Sequence, residues 1–185
     1  MRLFIGAPVP PSDVFGRVTQ DLVDTARGVR PVPAGTWHVT LRFLGVLPEA
    51  GPPASALDEA LAGRSAVPVR VRGVGAFQDP RRARIAWAGV DAPGLDRVEG
   101  AVRAATAHLG EPPPRRDFVP HVTLARLGRP TDVSAWVHHH EATRFSEGLL
   151  DTVVLYRSDL GPGGPTYTRV HEVRLGDPAA PPPEP

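Results

Sequence analysis

The tetrad His-Val-Thr-Leu occurs twice in this chain, beginning at His38 and again at His121, 83 positions later (121 minus 38). Both copies are followed closely by Arg and Gly, in HVTLRFLG and HVTLARLG. On a β-strand alternate side chains share a face, so the His and Thr of each tetrad point into one space while Val and Leu point into a core. Each tetrad therefore offers a titratable imidazole beside a hydroxyl donor.

Two such pairs around a common centre suit acid–base chemistry near neutral pH. One imidazole can accept a proton while the other donates one, and the hydroxyls can stabilise charge that develops in the transition state. This pattern predicts in-line displacement at phosphorus without a metal, with His38, Thr40, His121 and Thr123 as the catalytic residues. A single HxT would be ordinary strand sequence, whereas its repetition favours function.

A metal site that uses both histidines is the main chemical alternative. No Asp, Glu or Cys lies beside them at ligand spacing, and Thr is a poor ligand, so we expect neither a metal nor a cofactor. His138 to His140 resemble a metal tract, but consecutive helical residues point in different directions, which favours a solvated helix end. His108 and His171 have no Thr partner and are interpreted as structural.

Apolar periodicity predicts alternating strands and helices that position the tetrads. Strands are predicted in RLFIGAPV, TWHVTLRFLGVL, VPVRVRGVGAFQ, RARIAWAGV, FVPHVTLARLG, GLLDTVVLYRSDL and YTRVHEVRLG. Helices are predicted in PPSDVFGRVTQDLVDTARG, PASALDEALAG, GLDRVEGAVRAATAHLG and DVSAWVHHHE. We expect two related lobes about a pseudo-twofold axis, each giving one central strand, so that the tetrads face one another across a cleft.

Composition limits the class of protein. The 185 residues include no cysteine, and no apolar run approaches the roughly 20 residues that span a bilayer, which predicts a cytoplasmic chain without a membrane partner. Net charge is +1 and every basic residue is Arg, which suits phosphate recognition or reflects codon bias. We expect one domain over residues 1–176 and a disordered proline-rich tail over 177–185.

The motifs WHVTLRFLG and FVPHVTLARLG resemble the two signatures of the 2H phosphoesterases, specifically the RNA 2',3'-cyclic phosphodiesterases once named 2'-5' RNA ligases. RLFIGAPVP, ARIAWAGV and TYTRVHEVRLG follow in the order that such proteins show. The resemblance implies a bilobal, duplicated α+β fold, with two antiparallel sheets lining a central cleft and helices outside.

The resemblance also implies an activity and residue roles. The reaction would be hydrolysis of an RNA 2',3'-cyclic phosphate to a 2'-phosphomonoester, with weak reversible ligation in some members. By position, His121 would activate water, His38 would protonate the 3'-oxygen, and Arg126 would contact the phosphate. Arg126 differs in strand parity from His121, so it needs a bulge or bend to enter the cleft.

A cleft of this kind would also hold nucleic acid, with an RNA 3' end, such as that of a tRNA fragment, as partner of a monomeric enzyme. Candidates for flanking phosphates are Arg81, Arg82, Arg84, Arg115 and Arg116, all expected in loops. Candidates for stacking on a base are Phe4 and Phe43. A small cyclic nucleotide, an ADP-ribose cyclic phosphate, and a non-catalytic RNA- or nucleotide-binding module remain the alternatives.

Overall fold

The computed structural model describes residues 1–77, 79–161 and 164–177, in which nine β-strands and four α-helices are present. The strands, β1 to β9 in chain order, are Arg2–Pro8, Val29–Pro31, His38–Val46, Val67–Ala76, Ala83–Asp91, His121–Thr131, Arg144–Leu150, Thr152–Gly161 and Gly164–Arg174. The helices, α1 to α4, are Asp13–Thr25, Gly51–Leu61, Leu95–Ala105 and Ser134–His140. A 3-10 helix, Pro80–Arg82, precedes β5. The predicted α+β class is confirmed.

Helix α1 shows how local sequence sets these elements. Ser12 caps its first turn, because the side-chain oxygen accepts a hydrogen bond from the backbone N–H of Val14 at 3.2 Å. Apolar residues recur at helical spacing, so that Phe15, Val18 and Leu22 are buried together. The predicted apolar stripe therefore holds this helix against the sheet.

The strands form one sheet in the order β7-β4-β5-β6-β3-β1-β8-β9, with β2 paired to β6 beside this path. The pairings between these strands are antiparallel. Its two halves meet where β3 and β6 share one residue pair, Val39 with Val122; we call this junction the seam. The prediction of two separate sheets is therefore corrected, because the two tetrad strands pair with each other directly.

The halves of the sheet do not match the halves of the chain. Strands β1 and β3 join the C-terminal β8 and β9 in one half, whereas β4 to β7 form the other. Only Asp151 separates β7 from β8, so the single strand predicted in GLLDTVVLYRSDL is two strands in different halves. The sheet curls to bring these strands together, and the bridge between Ser65 and Gly176 joins the same two regions.

The helices cover one face of the sheet and leave the other, which we call the open face, to the His and Thr side chains. One core cluster includes a residue from each helix together with both seam valines: Phe15, Leu57, Val98, Trp136, Val39 and Val122. The indole N–H of Trp136 donates to the carbonyl of Val18 at 3.1 Å and ties α4 to α1. The core therefore fixes the seam from behind.

Two histidines outside the tetrads make structural contacts. His140 Nε2 lies 2.9 Å from Asp21 Oδ2, and its side chain is only 13% exposed. The solvated helix end predicted for His138 to His140 is therefore wrong for His140, because its side chain turns inward to α1. His171 Nε2 lies 2.8 Å from Asp58 Oδ1 and links β9 to α2.

Within the described residues, no helix is long and apolar enough to cross a membrane. Of the predicted proline-rich tail, residues 178–185 lie outside the described residues.

Candidate active site

The seam brings the two predicted catalytic pairs together. Because the paired valines are in antiparallel register, His38 lies opposite Thr123 and Thr40 lies opposite His121. The valines are fully buried on the helix side, so alternation turns the four polar side chains to the open face. Each imidazole therefore faces the threonine of the other tetrad. The two pairs thus lie on strands that are neighbours in the sheet.

Both imidazoles are held by the same backbone contact. Nδ1 of His38 lies 2.6 Å from the carbonyl oxygen of Thr36, and Nδ1 of His121 lies 2.7 Å from that of Val119. A carbonyl can only accept, so each Nδ1 carries the proton and donates it. Nε2 is therefore the nitrogen left for proton transfer. Sequence reasoning missed this contact, because any residue supplies a carbonyl two positions before the histidine.

Aromatic rings surround His38 on the open face. Its imidazole stacks on Phe4 at 5.0 Å between centroids, and Tyr156 and Tyr167 lie at 5.5 and 5.6 Å. Among the described residues, His121 has one such neighbour, Phe77, edge-on at 4.7 Å. The tyrosines come from β8 and β9, far along the chain, so no local sequence pattern indicates them. The two imidazoles thus share a backbone anchor and differ in surroundings.

Burial is the largest influence on the pKa of both imidazoles. It lowers the pKa of His38 from 6.5; the Nδ1 hydrogen bond opposes this change, and the charges of His121 and Arg126 lower the pKa further. Burial also lowers the pKa of His121; its Nδ1 hydrogen bond again opposes the change, and Arg116 and Arg126 add to it. A bound anion favours the charged form, so phosphate would promote protonation of one imidazole.

Arg126 reaches the open face through a β-bulge. Between Thr123 and Ala125, β6 has one more residue than the facing segment of β5. Leu124 and Ala125 are consequently both buried, and Arg126 is exposed on the other side. Its charge lowers the pKa of both imidazoles. The bulge required by its strand parity is therefore present.

An equivalent bulge in β3 exposes Phe43. Leu41 and Arg42 are consecutive buried residues, and Phe43 is 49% exposed. Phe43 thus has the position in β3 that Arg126 has in β6, five residues after the histidine. The guanidinium of Arg42, which sequence reasoning did not consider, donates to the carbonyls of Phe43 and Glu111.

Phe4 is unsuitable for stacking on a base. It is 3% exposed, and its ring is covered by His38, Phe43, Tyr156 and Tyr167. The prediction for Phe4 is therefore corrected, because packing from distant strands leaves its ring no free face.

The arginines near β5 lie away from the seam. Arg81 and Arg82 belong to the 3-10 helix and Arg84 to β5, so the loop predicted for all three is corrected. Gly89, the partner of His121, is six positions from Ala83 along β5, which is about 20 Å of strand. These exposed arginines are therefore not part of the catalytic centre.

Arg115 and Arg116 are exposed in the segment that leads into β6, as predicted for a loop. The charge of Arg116 lowers the pKa of His121, which places it near the second tetrad. In residues 1–77, 79–161 and 164–177, no three His, Cys, Asp or Glu side chains are arranged to hold a metal ion.

Comparison with known proteins agrees with this geometry. Residues 10–162 match the family model of the 2'-5' RNA ligase superfamily. The chain is 32% identical to an RNA 2',3'-cyclic phosphodiesterase of Aeropyrum pernix, over 86% of this chain and 94% of the relative. It is 34% identical to the RNA 2',3'-cyclic phosphodiesterase of Thermus thermophilus, over 95% of this chain and 90% of the relative. The crystal structure of a Thermus thermophilus protein, TT0787, superposes with a TM-score of 0.75 at 33% identity and covers 96% of this chain and 99% of the other. The chain therefore belongs to the 2'-5' RNA ligase superfamily.

Proposed function

We propose that this protein hydrolyses RNA 2',3'-cyclic phosphate ends to 2'-phosphomonoesters, without a metal, through its two HxT motifs. The observation that carries the proposal is the seam, where two imidazoles with anchored Nδ1 atoms lie opposite each other's threonines. The relatives in Aeropyrum pernix and Thermus thermophilus are named for this reaction.

In the proposed reaction His121 is the base and His38 the acid. Nε2 of neutral His121 takes a proton from water, whose oxygen forms a bond to phosphorus. The bond from phosphorus to O3' breaks, and O3' receives the Nε2 proton of His38. The product has a 2'-phosphate and a 3'-hydroxyl, and proton exchange with solvent restores the two imidazoles. Reaction of a 5'-hydroxyl in place of water would give the weak 2'-5' ligation.

The surroundings of the imidazoles support these roles. In the part of the chain that the structure describes, His121 has one aromatic neighbour and His38 has three, so water has freer access to His121. Phe43 is exposed on the half of the sheet that contains His38 and could stack on the base of the nucleotide whose cyclic phosphate is opened.

The other side chains stabilise charge. Thr40 and Thr123 face the same space as the imidazoles and would donate to the non-bridging oxygens of the phosphate. Arg126 would contact the same phosphate, since its charge already acts on both imidazoles. The exposed arginines from Arg81 to Arg84 and at Arg115 and Arg116 would contact flanking phosphates of RNA. We also propose that the protein is a cytoplasmic monomer.

The test is incubation with an oligonucleotide that ends in a 2',3'-cyclic phosphate, with EDTA present, followed by identification of the product isomer. We expect turnover to a 2'-phosphate. A 3'-phosphate product would overturn the proposed direction of bond cleavage, and loss of activity in EDTA with recovery on Zn²⁺ or Mn²⁺ would overturn metal independence. Turnover of small cyclic nucleotides alone would favour the alternative substrate class, and binding without turnover would indicate a non-catalytic module.

A further inference from the structure

Strand β2 places a second arginine beside Arg126. Its three residues pair with β6 so that Arg30 is directly opposite Arg126. Residues opposite each other in an antiparallel pair share a face, and their Cβ atoms are about 5 Å apart. Arg30 is exposed, and its neighbour Val29 packs against the core on the helix side. Both guanidinium groups therefore lie on the open face.

This arrangement is unfavourable by itself. Like charges directly opposite each other destabilise a strand pair. None of the arginine–carboxylate ion pairs found in residues 1–77, 79–161 and 164–177 involves Arg30 or Arg126. A bound anion would relieve the repulsion, and two planar guanidinium forks match the oxygens of a phosphate.

The backbone on both sides of Arg30 is fixed. The N–H of Gly128 donates to the carbonyl of Gly28 at 3.2 Å, and the N–H of Val32 donates to the carbonyl of Leu124 at 2.9 Å. Arg30 therefore projects from a segment that is hydrogen-bonded at both ends, so its position beside Arg126 is defined before any ligand binds.

The arginine pair lies beyond the seam. Arg126 is three positions from Thr123 along β6, at most about 10 Å of strand. A phosphate at the seam already meets two imidazoles and two hydroxyls, and Arg126 is close enough to act on both imidazoles. Arg30 lies beside Arg126 on the edge of β6 that also pairs with β3, so it can hold another phosphate of the same substrate.

We propose that Arg30, together with Arg126, binds the phosphate on O5' of the nucleotide whose cyclic phosphate is opened. This inference rests on the proposed function and deepens it. It makes the preferred substrate an RNA end or a 5'-phosphorylated nucleotide, because a nucleoside 2',3'-cyclic phosphate with a free 5'-hydroxyl leaves this subsite empty.

The experiment compares kcat/KM for adenosine 2',3'-cyclic phosphate, for its 5'-phosphorylated form, and for the dinucleotide that ends in the same cyclic phosphate. We expect the wild type to prefer the two substrates that carry a phosphate on O5'. Arg30→Gln should reduce this preference about 10- to 100-fold, as expected for losing a hydrogen bond to a charged group. Arg30→Lys keeps the charge but loses the planar guanidinium, so its preference should lie between those of the wild type and Arg30→Gln.

Arg97→Gln is the matched control, since Arg97 is exposed on α3 on the helix side; it should keep the wild-type preference. An unchanged preference in Arg30→Gln, including an equal loss on all three substrates, would overturn the subsite. If Arg30→Gln lowers kcat/KM only for the 5'-phosphorylated nucleotide, the subsite binds a terminal monoester. If kcat/KM for the dinucleotide also falls, the subsite binds the RNA backbone.

A binding measurement separates this inference from the proposed function. Titration of the protein with adenosine 2'-phosphate, with and without a 5'-phosphate, needs no turnover. We expect the 5'-phosphate to tighten Kd in the wild type and to have a 10- to 100-fold smaller effect in Arg30→Gln. If no cyclic phosphate is hydrolysed, the proposed function fails and this Kd comparison still decides whether the subsite exists.

Discussion

Gly6→Ala should impair the enzyme through a single added methyl group. A Cβ at Gly6 would lie 2.9 Å from Cδ2 of His38 and 3.2 Å from the carbonyl oxygen of Val39. The imidazole cannot simply turn aside, because Phe4 and the two tyrosines pack around it. Relief of the contact therefore moves the ring by about 0.5–1 Å from its present position, toward an ordinary carbon–carbon separation.

Displacement on this scale should lower kcat by about 10- to 100-fold, because catalytic groups tolerate little misplacement. The added volume should also cost about 1–3 kcal/mol of unfolding free energy. Stretching the hydrogen bond from Nδ1 to the Thr36 carbonyl weakens a contact that raises the pKa of His38. The limb of the pH–rate profile that reports His38 should therefore move to lower pH.

The assay is steady-state hydrolysis of a 2',3'-cyclic phosphate across pH, together with thermal unfolding. Gly16→Ala is the control: a Cβ there meets nothing within 4 Å, and alanine is favoured over glycine within a helix. Wild-type kcat and an unmoved limb in Gly6→Ala would show that the ring's position is not critical, and the reasoning from this contact would fail.

Three further predictions concern the tetrads. His38→Ala and His121→Ala should each reduce turnover about 10²- to 10⁴-fold with the fold retained in circular dichroism; wild-type turnover in either would contradict a two-histidine mechanism. Thr40→Val or Thr123→Val should lower the plateau of a bell-shaped pH–rate profile about 10- to 1000-fold and leave its limbs in place, whereas limbs that shift by more than about one unit at unchanged maximal rate would mean that the threonines tune the histidines. Burial lowers both histidine pKa values in the folded state, so the unfolded chain binds more protons below pH 6.5. The free energy of unfolding should therefore fall on acidification through this range. In chemical denaturation, the two His→Ala variants should show a weaker dependence of this free energy on pH.

Much of this site could be predicted because its information is local and repeated. The identical spacing of His and Thr in two strands indicates a shared face, and the register at the seam is consistent with that interpretation. The parity of Arg126 correctly indicates that a bulge is required. Strand alternation and helix periodicity depend only on neighbouring residues, so they can be read from the sequence.

The features that sequence reasoning missed depend on residues far apart in the chain. Phe4 is buried by rings from β8 and β9, which its own strand does not indicate. Arg30 becomes a candidate ligand-binding residue only because it pairs with Arg126, and its strand of three residues is too short to show alternation. The two-strand structure around Asp151 was missed because one continuous apolar pattern conceals a change of partner strand.

The interleaving of the two halves of the sheet has a consequence for how the protein folds. Gly6 pairs with Val154, 148 positions away (154 minus 6), in the same half of the sheet as His38. Proteins dominated by such non-local pairings fold slowly, on the scale of milliseconds to seconds. An emerging N-terminal segment lacks both β6 and β8, so neither the seam nor the surroundings of His38 can form until nearly the whole chain has left the ribosome. Catalytic competence should therefore appear late and together with the complete sheet.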